Sequence, residues 1–460
     1  MDLRNMLGAG VVLHSWPALI DDPTKLDSAM TDDALRIPLL AGIGLAAFAN
    51  AFILMRLSPR TLMVAWTLAL FFVPIWAGAQ IGIYFSVITV VTILAISTSS
   101  LHFFKFSSVD ALMGSFVLLL LVGWMLGLVQ WGHLVLVLTG WMIPYLGGRF
   151  IASRVELKWI YGCLAAGAVA AACLAIAEFV TGTNFFVRLK MSNSLYATWH
   201  TLQFRGGLLR VEGAFGHSIA LGASLAMCSV FILVVAWPQW LRIASLLVVA
   251  IATGLTFSRI GLIALALTLV VGLVALRHDI VASLRWKIFA LVGLAAAVGL
   301  PLLLSVFTSA GNEASGSAEY RTDLLPLLGT ASLVGIAKSR EVTAAGTTYY
   351  GTFQSIDSEV VLTALRFGLL PLLILLAALA ICCIAVLRGR ATPASVAIVG
   401  MIPAFATVAL ITQYTTLVWF LAGLAVACHH QRLHGASPIK TVVAFQPTQT
   451  KNQREVSKWL

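Results

Sequence analysis

"FGLLPLLILLAALAICCIAVLRGR", residues 367–390, is a run of aliphatic side chains closed by two arginines. With the residues just before it, it supplies the roughly 20 apolar positions a helix needs to cross a bilayer's hydrocarbon core. The basic pair at its end, Arg388 and Arg390, is the kind of loop charge that fixes the orientation of a spanning helix. Comparable runs lie at 37–55, 61–78, 81–97, 109–128, 131–148, 159–180, 215–236, 241–257, 260–276, 287–307, 360–385, 393–413 and 414–430. The expected fold class is therefore all-α: a polytopic membrane protein with about 12–14 transmembrane helices.

The bulk numbers agree. Of the 460 residues, 60% are apolar and 10% charged, with a mean hydropathy of +0.98, whereas a soluble domain carries about 25% charged residues. The apolar stretch Met6–Ile20 is interrupted by His14 and Pro17 and lacks a small-residue cleavage site, so no cleavable signal peptide is expected. The net charge of +11 is spread over short loops, which argues against nucleic acid as a partner. Arg56 and Arg60, then Arg149, Arg154 and Lys158, then Arg277, Arg285 and Lys287, then Arg388 and Arg390 all fall on one side of the layout, the expected cytoplasmic side.

Two long segments, 181–214 and 308–359, remain on the other side, the second expected to fold into short external helices. The resulting divisions are an N-terminal segment 1–36, helices over 37–180, a core 181–430 that includes both loops, and a cytoplasmic tail 431–460.

Charge on that outer side has no role in orientation. Arg205 and Arg210 precede the run at 215–236, Arg259 stands between 241–257 and 260–276, and Arg321 lies in the large loop. Guanidinium forks match phosphate oxygens, and several converging at a helix mouth suit a lipid-linked diphosphate. The same side chains also suit a simpler role, reaching lipid phosphates or pairing with Glu212 and Glu359. Glu212 is placed to orient Arg210 or accept a proton, and His217 to act near neutral pH or simply to pack. Tyr349, Tyr350, Asp357 and Glu359 gather at the start of the run at 360–385, where Asp357 is also spaced to cap the helix.

No cofactor is implied. The sequence has no GxxxxGK[ST], HExxH or GxSxG motif. The group Cys428, His429 and His430 is a poor tetrahedral site, so no metal is expected.

Four stretches in order, "RVEGAFGHSIALGASLA" (210–226), "LTFSRIGLIALAL" (255–267), "EYRTDLLPLLG" (319–329) and "SIDSEVVLTALRFGLLP" (355–371), resemble the O-antigen ligase and polysaccharide polymerase superfamily of bacterial inner membranes. The resemblance covers about 200–425. It implies a metal-independent glycosyltransferase with its active face in the periplasm. The donor would be an undecaprenyl-diphosphate-linked glycan and the acceptor a glycan or lipid-linked glycan; membrane lipids and polysaccharide-assembly or chain-length proteins would be partners. It assigns the family's essential arginines to Arg210, Arg259 and Arg321.

Ligases of this family carry a histidine after the large loop where this sequence reads Asp357-Ser358-Glu359-Val360-Val361. That departure favours a polymerase joining repeat units over a ligase acting on lipid A–core. Asp357 or Glu359 would then take the acceptor proton, with Arg205, Glu212, His217, Tyr349 and Tyr350 around the substrate. A lipid-linked glycan transporter and a scaffold of an export complex are the readings from other classes.

Overall fold

The computed structural model describes residues 50, 52–54, 56–99, 105–293, 297, 324–344 and 347–434. Most of the expected run at 37–55, Arg321 and the tail beyond His434 lie outside them. The chain divides into two compact units, Met1–Ser58 and Pro59–Leu460. In the first, the described residues are helical up to Leu57.

The second unit is helical, with three small antiparallel hairpins among its described residues. Its helices are α1 (Pro59–Phe72), α2 (Val87–Ser97), α3 (Ser108–Met125), α4 (Trp131–Arg154), α5 (Leu157–Thr181), α6 (Ser194–Trp199), α7 (Ser218–Val234), α8 (Gln239–Leu255) and α9 (Arg259–Ala275). They continue with α10 (Glu359–Phe367), α11 (Leu369–Leu387), α12 (Pro393–Gly400), α13 (Ile402–Thr407) and α14 (Thr412–His434). Among the described residues, α3, α4, α5 and α11 are long and apolar enough to cross a membrane by length and composition.

At several helix starts, local capping chemistry sets the boundary. Ser86 caps α2 after a hairpin of Gly78–Ile81 with Ile83–Ser86, so the first six residues of the run expected at 81–97 are not helical and α2 is shorter than that run. Ser258 caps α9, and Thr392 caps α12 in a reciprocal box with Ser395.

The run at 360–385 is divided between α10 and α11, and the cause is visible in the backbone. Pro371 has no N–H to offer the carbonyl of Phe367, and the N–H of Gly335 fills that place at 2.7 Å. The N–H of Ala337 likewise takes Leu365 O (2.8 Å), while the N–H groups of Leu369 and Leu370 go to Ser332 O and Leu333 O (both 2.9 Å). A stretch of loop, 332–337, is thus laced into the helix. Gly368 sits at the junction with φ 102°, where an added Cβ would stand 2.7 Å from Leu333 O.

Backbones also meet where two helices cross. At Gly148 and Gly423 of α4 and α14, a Cβ would run into Phe420 O and Tyr145 O respectively, so only glycine permits the contact.

Arg149, expected in a loop as an orienting charge, lies within α4 and is buried. Its Nη2 donates to Asp110 Oδ2 at 2.9 Å and its Nε to Asp110 Oδ1 at 3.1 Å, and the Tyr145 hydroxyl donates to Oδ1 at 2.6 Å. Asp110 also accepts the Ser107 N–H at 2.8 Å as half of the capping box that starts α3. One carboxylate therefore closes a helix end and joins α3 to α4. Because removing one partner leaves an uncompensated buried charge, Asp110→Ala is expected to lower stability by about 3 kcal/mol or more. Tyr145→Phe, which leaves the ion pair intact, is expected to cost about 1 kcal/mol. Unfolding of both variants in detergent checks the order.

Candidate functional site

The chain leaves α8 at Leu255 and enters α9 at Arg259, and of the three residues between, Ser258 has its carbonyl met by the Leu262 N–H at 3.2 Å while Thr256 and Phe257 turn theirs to side chains. Phe257 is left-handed (φ 45°), an uncommon conformation for a bulky residue. Ser258 Oγ accepts the Gly261 N–H at 3.1 Å and so starts α9. The carbonyls of Thr256 and Phe257 are met by arginines: Arg210 Nε donates to Thr256 O (3.0 Å) and Arg205 Nη1 to Phe257 O (2.8 Å). The two belong to one small hairpin, Phe204–Arg205 paired with Leu208–Leu209, and Arg210 follows it. Arg210 is 8% exposed, whereas Arg259, at the first turn of α9, is exposed. Arg205, Arg210 and Arg259 therefore gather at one turn.

Behind them lies a buried polar network. Gln203 is its hub: Oε1 accepts from Arg210 Nη1 (3.2 Å) and Ser218 Oγ (3.0 Å), and its N–H donates to Glu212 Oε1 (3.1 Å). Glu178, near the end of α5, accepts the N–H groups of Glu212 (3.1 Å) and Gly213 (2.9 Å) and the amide of Asn184 (3.2 Å). Glu212 is fully buried. Its carboxyl is pushed up to about 8, first by burial and then by the neighbouring Glu178 carboxylate, against the pull of the Gln203 N–H and Arg210. His217 caps α7, its Nδ1 accepting the Ile219 N–H at 3.2 Å, with Trp199 edge-on at 5.7 Å.

The other expected residues form a second group. Ser358, not Asp357, caps α10: its Oγ accepts the Val361 N–H at 3.3 Å. Asp357 is exposed and accepts from Ser355 Oγ at 3.3 Å. Glu359 is buried and holds the Leu410 N–H at 2.7 Å and the Thr363 hydroxyl at 3.1 Å.

Tyr349 and Tyr350 stand on the hairpin Arg340–Val342 with Thr348–Tyr350, and the Tyr350 hydroxyl is bonded to Arg366. Arg366 lies within electrostatic reach of both Glu359 and, with Arg340, His133. The segment 408–414 links the two groups. Leu410 is bonded to Glu359, and Gln413 Nε2 donates to Ala214 O, at the Glu212 turn, at 2.8 Å. Between them Thr412 is left-handed (φ 48°). The two non-glycine residues with positive φ among the described residues, Phe257 and Thr412, thus both border the region where the candidates meet.

Sequence reasoning missed Glu178, Gln203, Gln413, Arg340 and His133 as members of these groups, while Arg366 reads from the sequence as a charge inside the run at 360–385 suited to a buried ion pair. Glu178 was open to detection, since a carboxylate at the end of an otherwise apolar run is a flag in itself; the glutamines carry no such signal. Among the described residues, no group of three or more His, Cys, Asp or Glu is placed to hold a metal ion. No protein-family model matches the chain, and no curated protein matches it.

Because Glu212 binds its proton more tightly folded (about 8) than unfolded (about 4.5), the folded state holds the extra proton between those values. Stability from this group is full below about 4.5, declines as pH rises and levels off above about 8. Glu212→Gln is expected to remove that decline, read as thermal unfolding in detergent at intervals across the window. A decline unchanged in the variant assigns it to another group.

Proposed function

We propose that the chain is a multi-pass protein of the bacterial inner membrane that transfers a glycan from a polyprenyl-diphosphate carrier on the periplasmic face. The favoured product is a polymer of repeat units. The observation that carries this reading is the meeting of Arg205, Arg210 and Arg259 at the turn 255–259, linked through 408–414 to Glu359. The charge balance supports it: Glu212, protonated near neutral pH, leaves the arginines' charge largely uncancelled.

In this reaction the acceptor hydroxyl attacks the anomeric carbon, the bond from that carbon to the diphosphate oxygen breaks, and negative charge grows on the departing diphosphate. Arg259, exposed at the start of α9, is the group that touches it. Arg210 is a positioning residue, since its bonds to Thr256 O and Gln203 set the turn that carries Arg259. Exposed Asp357 accepts the acceptor's proton. Glu359 fixes the segment 408–414 that carries the chain between the two groups.

A transporter reading draws on the interrupted helix at Gly368, since broken helices line many transport paths. Here the carbonyls freed by the break are taken by 332–337, which leaves little to coordinate a passing substrate.

The test is incubation of purified protein with a defined polyprenyl-diphosphate-linked repeat unit, resolved as a ladder, with a lipid A–core acceptor in parallel to detect ligation. Arg259→Ala is expected to reduce product by about 100-fold or more with unchanged unfolding temperature. Arg210→Ala is expected to lower both product and unfolding temperature, as it orphans a buried carbonyl. Full activity in Arg259→Ala defeats the proposal.

A further inference from the structure

A cavity of about 410 Å³ lies away from the arginine turn, between α3, α11, the α12–α13 pair and α14. Its walls are apolar, with Leu376, Leu379, Ile398 and Val418 among them. Its ends differ. Glu359 and Thr363 line one end; Arg390 and His429 line the other, close to Ser107 at the start of α3. The wall that α11 contributes runs from Leu372 to Ala385, a rise of about 20 Å at about 1.5 Å per residue. An apolar slot that follows a long helix and finishes at a cationic rim matches a lipid with an anionic headgroup. The basic side chains that line the cavity, Arg390, His429 and His430, stand at the end away from Glu359, which fixes the direction of the headgroup.

We infer that this groove binds one acyl chain of an anionic phospholipid, with the phosphate against Arg390 and His429. The chain needs to reach about 15 Å, half the hydrocarbon thickness, which the groove exceeds. The site goes beyond the transferase proposal and shares with it the premise that the helices sit in a bilayer. It places a lipid at the end of the bundle remote from Arg259, where it ties α11 to α14 across the space between them.

Purified full-length protein, stripped of lipid, is titrated in detergent with phosphatidylglycerol or with phosphatidylcholine of the same chains, and occupancy is read by native mass spectrometry. The wild type is expected to take the anionic lipid about five- to tenfold more tightly, and the double variant Arg390→Ala, His429→Ala to hold the two within about twofold. Ala422→Phe, which fills the groove without changing charge, is expected to weaken both lipids alike. Arg390→Gln repeats the headgroup test should the double variant unfold.

Arg259→Ala is expected to keep the preference whether or not it transfers glycan, so failure of the transferase proposal leaves this readout intact. Equal affinity for the two lipids in the wild type overturns the inference. So does an undiminished preference in the charge variants, a loss of preference in Arg259→Ala, or displacement of phosphatidylglycerol by undecaprenyl phosphate, which would assign the groove to a polyprenyl chain.

Discussion

Carbonyl groups that water cannot reach need another donor, and the turn 255–259 is organised by that requirement. Where α8 stops, Thr256 and Phe257 turn their oxygens to Arg210 and Arg205 instead of to a following helical turn. Guanidinium suits this job because it offers several donors in a fixed plane and keeps its charge when buried. Satisfying the backbone thereby concentrates positive charge at one helix junction. The same bonds that hold the fold together prepare the setting in which Arg259 would meet an anion. Structural and functional accounts of Arg205 and Arg210 are two consequences of one arrangement.

The carboxylates complete that arrangement by differing from one another. Glu178 is surrounded by N–H donors and serves as an anchor for the backbone at Glu212 and Gly213. Glu212, with fewer donors and a charged neighbour, is easier to leave protonated. Asp110 performs the equivalent anchoring between α3 and α4 with a full ion pair. Burial raises the carboxyls of Glu178, Glu212 and Glu359, and the donors around each set how far that push is opposed.

Hydropathy located α3, α4 and α5 well, because the transfer of apolar side chains is a local property of the sequence. It could not reveal that residues 360–385 are two helices, since the donors that complete the break come from 332–337, more than a turn of loop away and without any apolar signature. Arg149 illustrates the opposite error: a charge reads as loop until its partner, Asp110, is known. At the candidate site, the arginines were visible as outlying charge. The residues that place them, Gln203 and Gln413, are ordinary amides whose importance lies entirely in their neighbours. Asp357 was read as a cap one residue too early because Asp and Ser are both good caps and only backbone geometry chooses between them.

The weaving of 332–337 into α10 and α11 has a bearing on how the chain is made. These loop residues leave the ribosome before the helices whose hydrogen bonds they finish, so the template is present when its target is synthesised. Until the two associate, the Phe367 carbonyl lacks a partner, since Pro371 has no N–H to offer it. Docking of 332–337 and formation of the junction between α10 and α11 are therefore one event, because each supplies the hydrogen-bond partners the other lacks.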